Sequence, residues 1–355
     1  MRLEDTKLSQ NKGEIICGFT RLKEMKKIKI WGSNIPYNTG KAKLDDMPII
    51  HKDWNIEDVF KSADNLFNKN DILNNMEATD TMVYLEQMIP GKCSMNYDDV
   101  PYLDAYIVEG SKYCVLDVPG GAYMSVSMDN EGEDVAKILN EQGISVFVLR
   151  YRTYPYAYPV MFADCQRALK WLIAHADDYG YDRDKISMLG YSAGGNLVAS
   201  TYHLFMEEDL LPKEYKRDEI DNIPAKIGTL GLVYPKLMFT NASKFLTMVI
   251  GFDAMHDEKK KSEAIKKYTL TTKVCDNQVP TFLVNATNDE LIPSEDILEY
   301  AMQLHKHNVP FEMHNYSRGG HGFGGCVRQD PAWPLDTDGV ESWMQHYALW
   351  LKKSL

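Results

Sequence analysis

The sequence predicts an α/β fold, a mainly parallel central sheet with helices on both faces. Three observations carry this expectation. Short, mostly apolar runs, several rich in Val and Ile, recur along the chain, and segments of helical length and period separate them. The runs are nearly continuous in their apolar character, as strands covered from both sides must be. Taken in order, residues 115–118, 144–149, 186–189, 230–233, 282–286 and 311–316 read as strands. Residues 131–142, 160–179, 193–203 and 294–308 read as helices, with Ser294 placed to cap the last. A final amphipathic stretch over 339–353 would pack Trp343, Tyr347 and Leu351 against the sheet.

The first hundred residues depart from this alternation. A strand-like run at 28–31 is followed by Asn-, Asp- and Lys-rich sequence with helical stretches at 56–67 and 81–88. The chain therefore divides into an N-terminal appendage over 1–100, with cap-like helices, and an α/β domain over 101–355. A polar insertion at 207–222 interrupts the path to the next strand. No internal repeat, low-complexity tract or Gly/Ser linker occurs, so the appendage is expected to pack on the core.

The 355 residues are 44% hydrophobic and carry a net charge of −12, a composition that builds a core rather than a disordered chain. Such a charge repels phosphate backbones and anionic headgroups, so neither nucleic acid nor a membrane surface is an expected partner. A small neutral molecule fits better, and a homo-oligomer stays open. The first eighteen residues hold no apolar stretch long enough for a signal peptide, and no later run reaches the length of a membrane span. The expected location is cytoplasmic. Cys17, Cys93, Cys114, Cys165, Cys275 and Cys326 are scattered without a C-x-x-C pair, which argues against a zinc site and, in a reducing compartment, against a disulfide framework. Most are expected to be buried thiols. No cofactor and no metal is called for, since no histidine cluster has ligand spacing.

The chemistry concentrates in four places. Gly190, Tyr191, Ser192, Ala193 and Gly194 form G-x-S-x-G, a weak pattern alone but here joining a strand directly to a helix. That context makes it a nucleophile elbow with Ser192 exposed above the sheet; the plainer reading is a helix-capping serine. A serine hydroxyl needs a base and an acid to orient that base. Asp289 follows the strand at 282–286, on the side of an open sheet where active sites form, with neighbouring Glu290 as the rival. His321 sits in Gly319-Gly320-His321-Gly322-Phe323-Gly324, a flexible loop after the last strand, and most other histidines lie within predicted helices. Pro119-Gly120-Gly121-Ala122-Tyr123 follows the strand at 115–118. There, residues this small bring backbone N–H groups close to a substrate oxygen, and the N–H of Ala193 completes an oxyanion hole from the elbow. Each such donor is worth roughly 3 kcal/mol of barrier. A plain tight turn is the alternative.

With these residues the chain resembles the α/β-hydrolases of the hormone-sensitive-lipase type, and within them the bacterial acetyl esterase and acetylxylan-esterase-like branch. The likeness rests on Pro119 to Tyr123, Glu131-Gly132-Glu133, Leu149-Arg150-Tyr151, Gly190 through Asn196, Asp289 through Pro293 and Gly319 through Gly324, and covers roughly residues 101–355. Related esterases carry H-G-G-G where this chain has Pro119-Gly120-Gly121-Ala122, and a P-G-G-G-Y form belongs to the carbohydrate-esterase-like branch; here the third glycine is Ala122. The resemblance implies the α/β-hydrolase fold and a catalytic triad of Ser192, Asp289 and His321. It also implies oxyanion donors at Gly121, Ala122 and Ala193. The expected activity is a serine carboxylesterase acting on a small-molecule ester and removing a short acyl group, foremost acetyl, from a carbohydrate or other small neutral alcohol. Lipase-like and arylformamidase-like hydrolysis on the same triad, or non-catalytic ligand binding, are the alternatives. Ala122 adds one methyl beside the oxyanion position, and Tyr123 and Met124 are expected to make the adjoining pocket wall bulky, which favours acetyl.

Overall fold

Among the described residues the apolar runs join two further strands in one sheet of eight. The computed structural model describes residues 26–38, 100–123, 126–153, 156–240, 245–327 and 337–355. The strands are β1 (Lys26–Lys29), β2 (Tyr102–Tyr106), β3 (Cys114–Val118), β4 (Ser145–Arg150), β5 (Ile186–Tyr191), β6 (Thr229–Val233), β7 (Thr281–Ala286) and β8 (Phe311–Tyr316). Their spatial order is β1-β2-β4-β3-β5-β6-β7-β8. Every pair from β4 to β8 is parallel, whereas β2 runs antiparallel to both β1 and β4.

The helices are α1 (Asp134–Glu141), α2 (Val160–Ala174), α3 (Ala176–Tyr179), α4 (Ser192–Ser200), α5 (Leu246–Ile250), α6 (Phe252–Met255), α7 (Glu258–Tyr268), α8 (Glu295–Lys306) and α9 (Trp343–Ser354). Alternate strand residues feed opposite layers, as the pleat requires. Val146 and Val148 of β4 pack with Val135 and Leu139 of α1 and with Trp343, Tyr347 and Leu351 of α9. Phe147 and Leu149 of the same strand join Leu169, Leu172 and Leu197 of α2 and α4 on the other face.

Several boundaries differ from the sequence reading for identifiable reasons. The first strand is Lys26–Lys29 rather than 28–31: Ile28 pairs with Leu103, while Ile30 and Trp31 leave the ladder and are buried. The pairing strand β2, Tyr-Leu-Asp-Ala-Tyr, has too mixed a character to read as a buried run. The helix expected over 160–179 breaks at His175, and the one expected over 131–142 begins with a π-type turn, Asp129–Glu133. Ser294 does not cap α8. Its backbone is already helical, and its hydroxyl instead accepts a 3.0 Å hydrogen bond from Asn285 Nδ2. Helices α5 to α7, inserted between β6 and β7, were not expected. The helical stretches expected at 56–67 and 81–88 lie outside the described residues, as do Cys17 and Cys93. Of the other cysteines, Cys114 and Cys165 are buried, Cys326 is half-buried and Cys275 is exposed.

The described N-terminal segment is anchored by buried charge. Arg152 and Asp164 form a bidentate ion pair with both side chains fully buried, at 2.9 and 2.7 Å. Trp31 Nε1 donates to the same carboxylate at 2.8 Å, and Arg152 donates to the carbonyl of Pro36. Arg167 donates to the carbonyl of Ile30 and lies over the Trp31 ring. Among the described residues no helix is long and apolar enough to cross a membrane, and no group of three His, Cys, Asp or Glu side chains could hold a metal ion.

Candidate active site

Strand β5 ends where α4 begins, and the turn between them leaves little room for anything but the residues found there. Ser192 adopts a left-handed backbone, φ 50°. For a residue with a Cβ this conformation costs of order 1–3 kcal/mol and persists only when its surroundings enforce it. The surroundings do enforce it. A Cβ on Gly190 would lie 2.4 Å from the carbonyl oxygen of Gly194, and one on Gly194 would lie 2.0 Å from that of Val118. Strand, helix and the end of β3 therefore touch backbone to backbone. Ser192 is 8% exposed. Ala193 stands in the first turn of α4, where an N–H has no partner within the helix.

Two loops at the same edge of the sheet bring His321 and Asp289 to the serine. His321, after β8, places Nε2 2.9 Å from Ser192 Oγ, and its Nδ1 lies 2.7 Å from Asp289 Oδ2. A carboxylate can only accept, so Nδ1 carries the proton and Nε2 is left to accept from the serine hydroxyl. Asp289, after β7, is buried, and its other oxygen accepts 2.9 Å bonds from the N–H groups of Leu291 and Ile292. The rival Glu290 is exposed to solvent. Asn288 receives the N–H of Gly320 at 2.9 Å, which ties the histidine loop to the aspartate loop. The structure thus brings together the three side chains singled out from the sequence.

The loop after β3 is the third component. Gly121, Ala122 and Tyr123 all have positive φ, at 126°, 56° and 59°. So contorted a segment needs external support, and it receives it from several directions. Glu131 Oε2 accepts the Gly120 N–H at 2.6 Å, and Tyr151 donates its hydroxyl to the Pro119 carbonyl at 3.0 Å. Tyr123 donates to Asn196 Oδ1 at 2.8 Å, and Asn196 in turn donates to the carbonyl of Lys236. Tyr123 is fully buried beneath the loop, against Tyr151 and Phe245, so it does not form the bulky pocket wall expected of it. Met124 lies outside the described residues.

Sequence reasoning gave no role to Glu131, Asn130, Tyr151, Asn196 or Tyr234. Glu131, Tyr151 and Asn196 lie in motifs that carried the resemblance, whereas Asn130 and Tyr234 had no local signal at all. Glu131 Oε1 accepts from the Tyr234 hydroxyl at 2.8 Å, and Tyr234 accepts the Gly324 N–H at 2.9 Å. Burial pushes the Glu131 carboxyl above its ordinary range, with Tyr234 and the Gly120 N–H acting the other way. The Tyr234 hydroxyl is also pushed up, by burial first and then by the Glu131 charge.

The profile of the BD-FAE family matches residues 103–304, more than half of the chain. The chain belongs to the BD-FAE family. Among solved structures it is similar to an acetyl ester-xyloside bifunctional hydrolase from Caldicellulosiruptor lactoaceticus, with TM-score 0.61 and 29% identity over 72% of this chain and 88% of that one. It shares its α/β-hydrolase fold with the carboxylesterase Cest-2923 of Lactobacillus plantarum, at TM-score 0.58, 19% identity and coverage of 74% and 95%. Among curated proteins it is 27% identical to endo-1,4-beta-xylanase B of Butyrivibrio fibrisolvens, over 64% of this chain and 35% of that protein. It is 24% identical to an acetylxylan esterase of Xylanibacter ruminicola, over 59% and 41% respectively. The chain thus spans well under half the length of either curated relative.

Proposed function

We propose that this BD-FAE protein is a serine carboxylesterase that removes short acyl groups, acetyl foremost, from a carbohydrate or another small neutral alcohol. The observation that carries the reading is the continuous hydrogen-bonded path from Ser192 through His321 to Asp289, at 2.9 and 2.7 Å. In the first half-reaction Ser192 Oγ bonds to the ester carbonyl carbon while His321 Nε2 takes the serine proton and Asp289 holds the imidazolium. The carbonyl oxygen becomes an oxyanion facing the N–H groups of Gly121, Ala122 and Ala193. Collapse breaks the bond to the alcohol, which leaves with the proton from His321. Water then attacks the acyl-serine with His321 as base, releasing the carboxylic acid and restoring Ser192.

The carbohydrate acceptor is supported by the acetylxylan esterase and the acetyl ester-xyloside hydrolase among the similar proteins, and acetyl by the extra methyl of Ala122 beside the donors. The free thiols of Cys114, Cys165, Cys275 and Cys326 accord with a reducing, cytoplasmic compartment. The test is hydrolysis of p-nitrophenyl acetate by the wild type and Ser192→Ala. The variant is expected to lose at least about a thousandfold in kcat with an unchanged melting curve. A loss of less than about tenfold overturns the assignment. Acetylated xylooligosaccharides, compared with butyrate and octanoate esters, decide the acyl group and its acceptor.

A further inference from the structure

The π-type turn Asp129–Glu133 lies between two loops that approach the serine from opposite sides. Its Glu131 is 4% exposed, and each carboxylate oxygen has a separate task. Oε2 holds the N–H of Gly120, the residue before the donors Gly121 and Ala122. Oε1 holds the Tyr234 hydroxyl, which holds the N–H of Gly324 in the histidine loop. The preceding residue repeats the second task directly. Asn130 Nδ2 donates to the carbonyl of Gly322 at 2.8 Å, and its own carbonyl accepts the Gly325 N–H at 2.9 Å.

These contacts leave no slack. A Cβ on Gly120 would lie 2.9 Å from Glu131 Oε2, from Ser192 Cβ and from the Tyr191 carbonyl alike, and one on Gly324 would lie 2.6 Å from Asn130 Nδ2. Oxyanion loop, elbow and histidine loop therefore converge on one short turn. Helical turns of the π type are rare and concentrate at functional sites.

We infer that Glu131, with Asn130, is a positioning residue that sets the oxyanion donors and the histidine loop in register with each other across Ser192. The inference rests on the esterase reading for its kinetic consequence, and on geometry alone for its structural one. Both groups bonded to Glu131 are donors. A glutamine offers one accepting oxygen where two are needed, so Glu131→Gln leaves both arms competing for a single acceptor and loosens each without removing the side chain. Misplacement by a fraction of an ångström at a reacting centre slows chemistry far more than it weakens substrate binding.

The experiment compares wild type, Glu131→Gln, Tyr234→Phe and Asn130→Ala. For Glu131→Gln, kcat on p-nitrophenyl acetate should fall about tenfold to a hundredfold while KM stays within about threefold. The inhibition constant of a trifluoromethyl ketone, whose hemiketal oxygen occupies the oxyanion position, should rise by the same factor as kcat/KM falls. A side chain that merely supported the fold would move the melting temperature and not this correlation. Tyr234→Phe and Asn130→Ala, which cut only the histidine-loop arm, should show smaller losses in kcat.

Amide hydrogen exchange gives a readout that needs no activity. In Glu131→Gln, peptides containing Gly120 and those containing Gly324 and Gly325 should both exchange faster, with the rest of the sheet unchanged. If Glu131→Gln keeps kcat within twofold, or if only one loop loosens, the inference is overturned. Should Glu131→Gln fail to fold, unchanged kcat and exchange in both Tyr234→Phe and Asn130→Ala overturn it. A wild type inactive on every ester, with both loops loosened in the variant, overturns the esterase reading and leaves the coupling of the loops standing.

Discussion

Two buried carboxylates in this molecule are held in opposite ways. Asp164 faces an arginine: the Arg152 guanidinium grips both its oxygens, and the Arg152 and Trp31 N–H groups add further bonds. Glu131 is held by two neutral donors, a backbone N–H and a phenol. The first arrangement buries charge as a compensated unit and fastens the N-terminal segment to the core. The second gives the carboxyl no cationic partner, at a site where burial disfavours its charged form. Folding alone gives no reason to place a carboxyl group there. The contrast separates a device for stability from a device for chemistry.

Asp289→Asn tests the catalytic side hardest. The amide preserves shape but presents the wrong partner to Nδ1, and kcat should drop about 10⁴-fold with little change in stability. Steady-state kinetics beside a thermal melt measure both. A variant within tenfold of wild type would shift the acid's role to another carboxylate.

Arg152→Met should do the reverse. It leaves Asp164 charged, buried and unpaired, a loss of about 3–5 kcal/mol in urea denaturation, while kcat of the folded fraction at low temperature stays within about twofold. Adding Asp164→Leu should recover much of the stability, because an apolar pair of similar volume replaces the ion pair. If Arg152→Met lowers kcat as strongly as it lowers stability, the two regions are not separable.

The smallest effect concerns pH. Since folding raises the Glu131 pKa above its ordinary 4.5, the protonated carboxyl is the form that folding favours. The resulting stabilisation is complete below 4.5 and is lost as pH rises through the raised value. Glu131→Gln does not titrate, so the wild type should lose melting temperature relative to the variant as pH climbs above 4.5. Parallel melting curves would remove Glu131 as the titrating group.

What could be read from sequence was local. Gly190 through Gly194 announces its turn because the constraint acts between residues four apart, strand on one side and helix on the other. The parallel sheet was legible because strands covered on both faces must be apolar throughout, Asp289 because it comes shortly after such a strand, and His321 because glycines flank it in the loop after β8. The strand at Tyr102–Tyr106 escaped notice since it mixes apolar and polar residues, α5 since five residues are too few to show a helical period, and α7 since its Lys-rich sequence shows little apolar face. Tertiary structure alone decided that Glu131 would meet Tyr234, 103 positions away, and that Arg152 would meet Trp31 through Asp164. Those meetings depend on how the sheet brings its strand ends together, and no local pattern records the partner of a buried polar group. Sequence by itself determined which residues could react; the packing of three loops around one turn decided how they are held in place to do so.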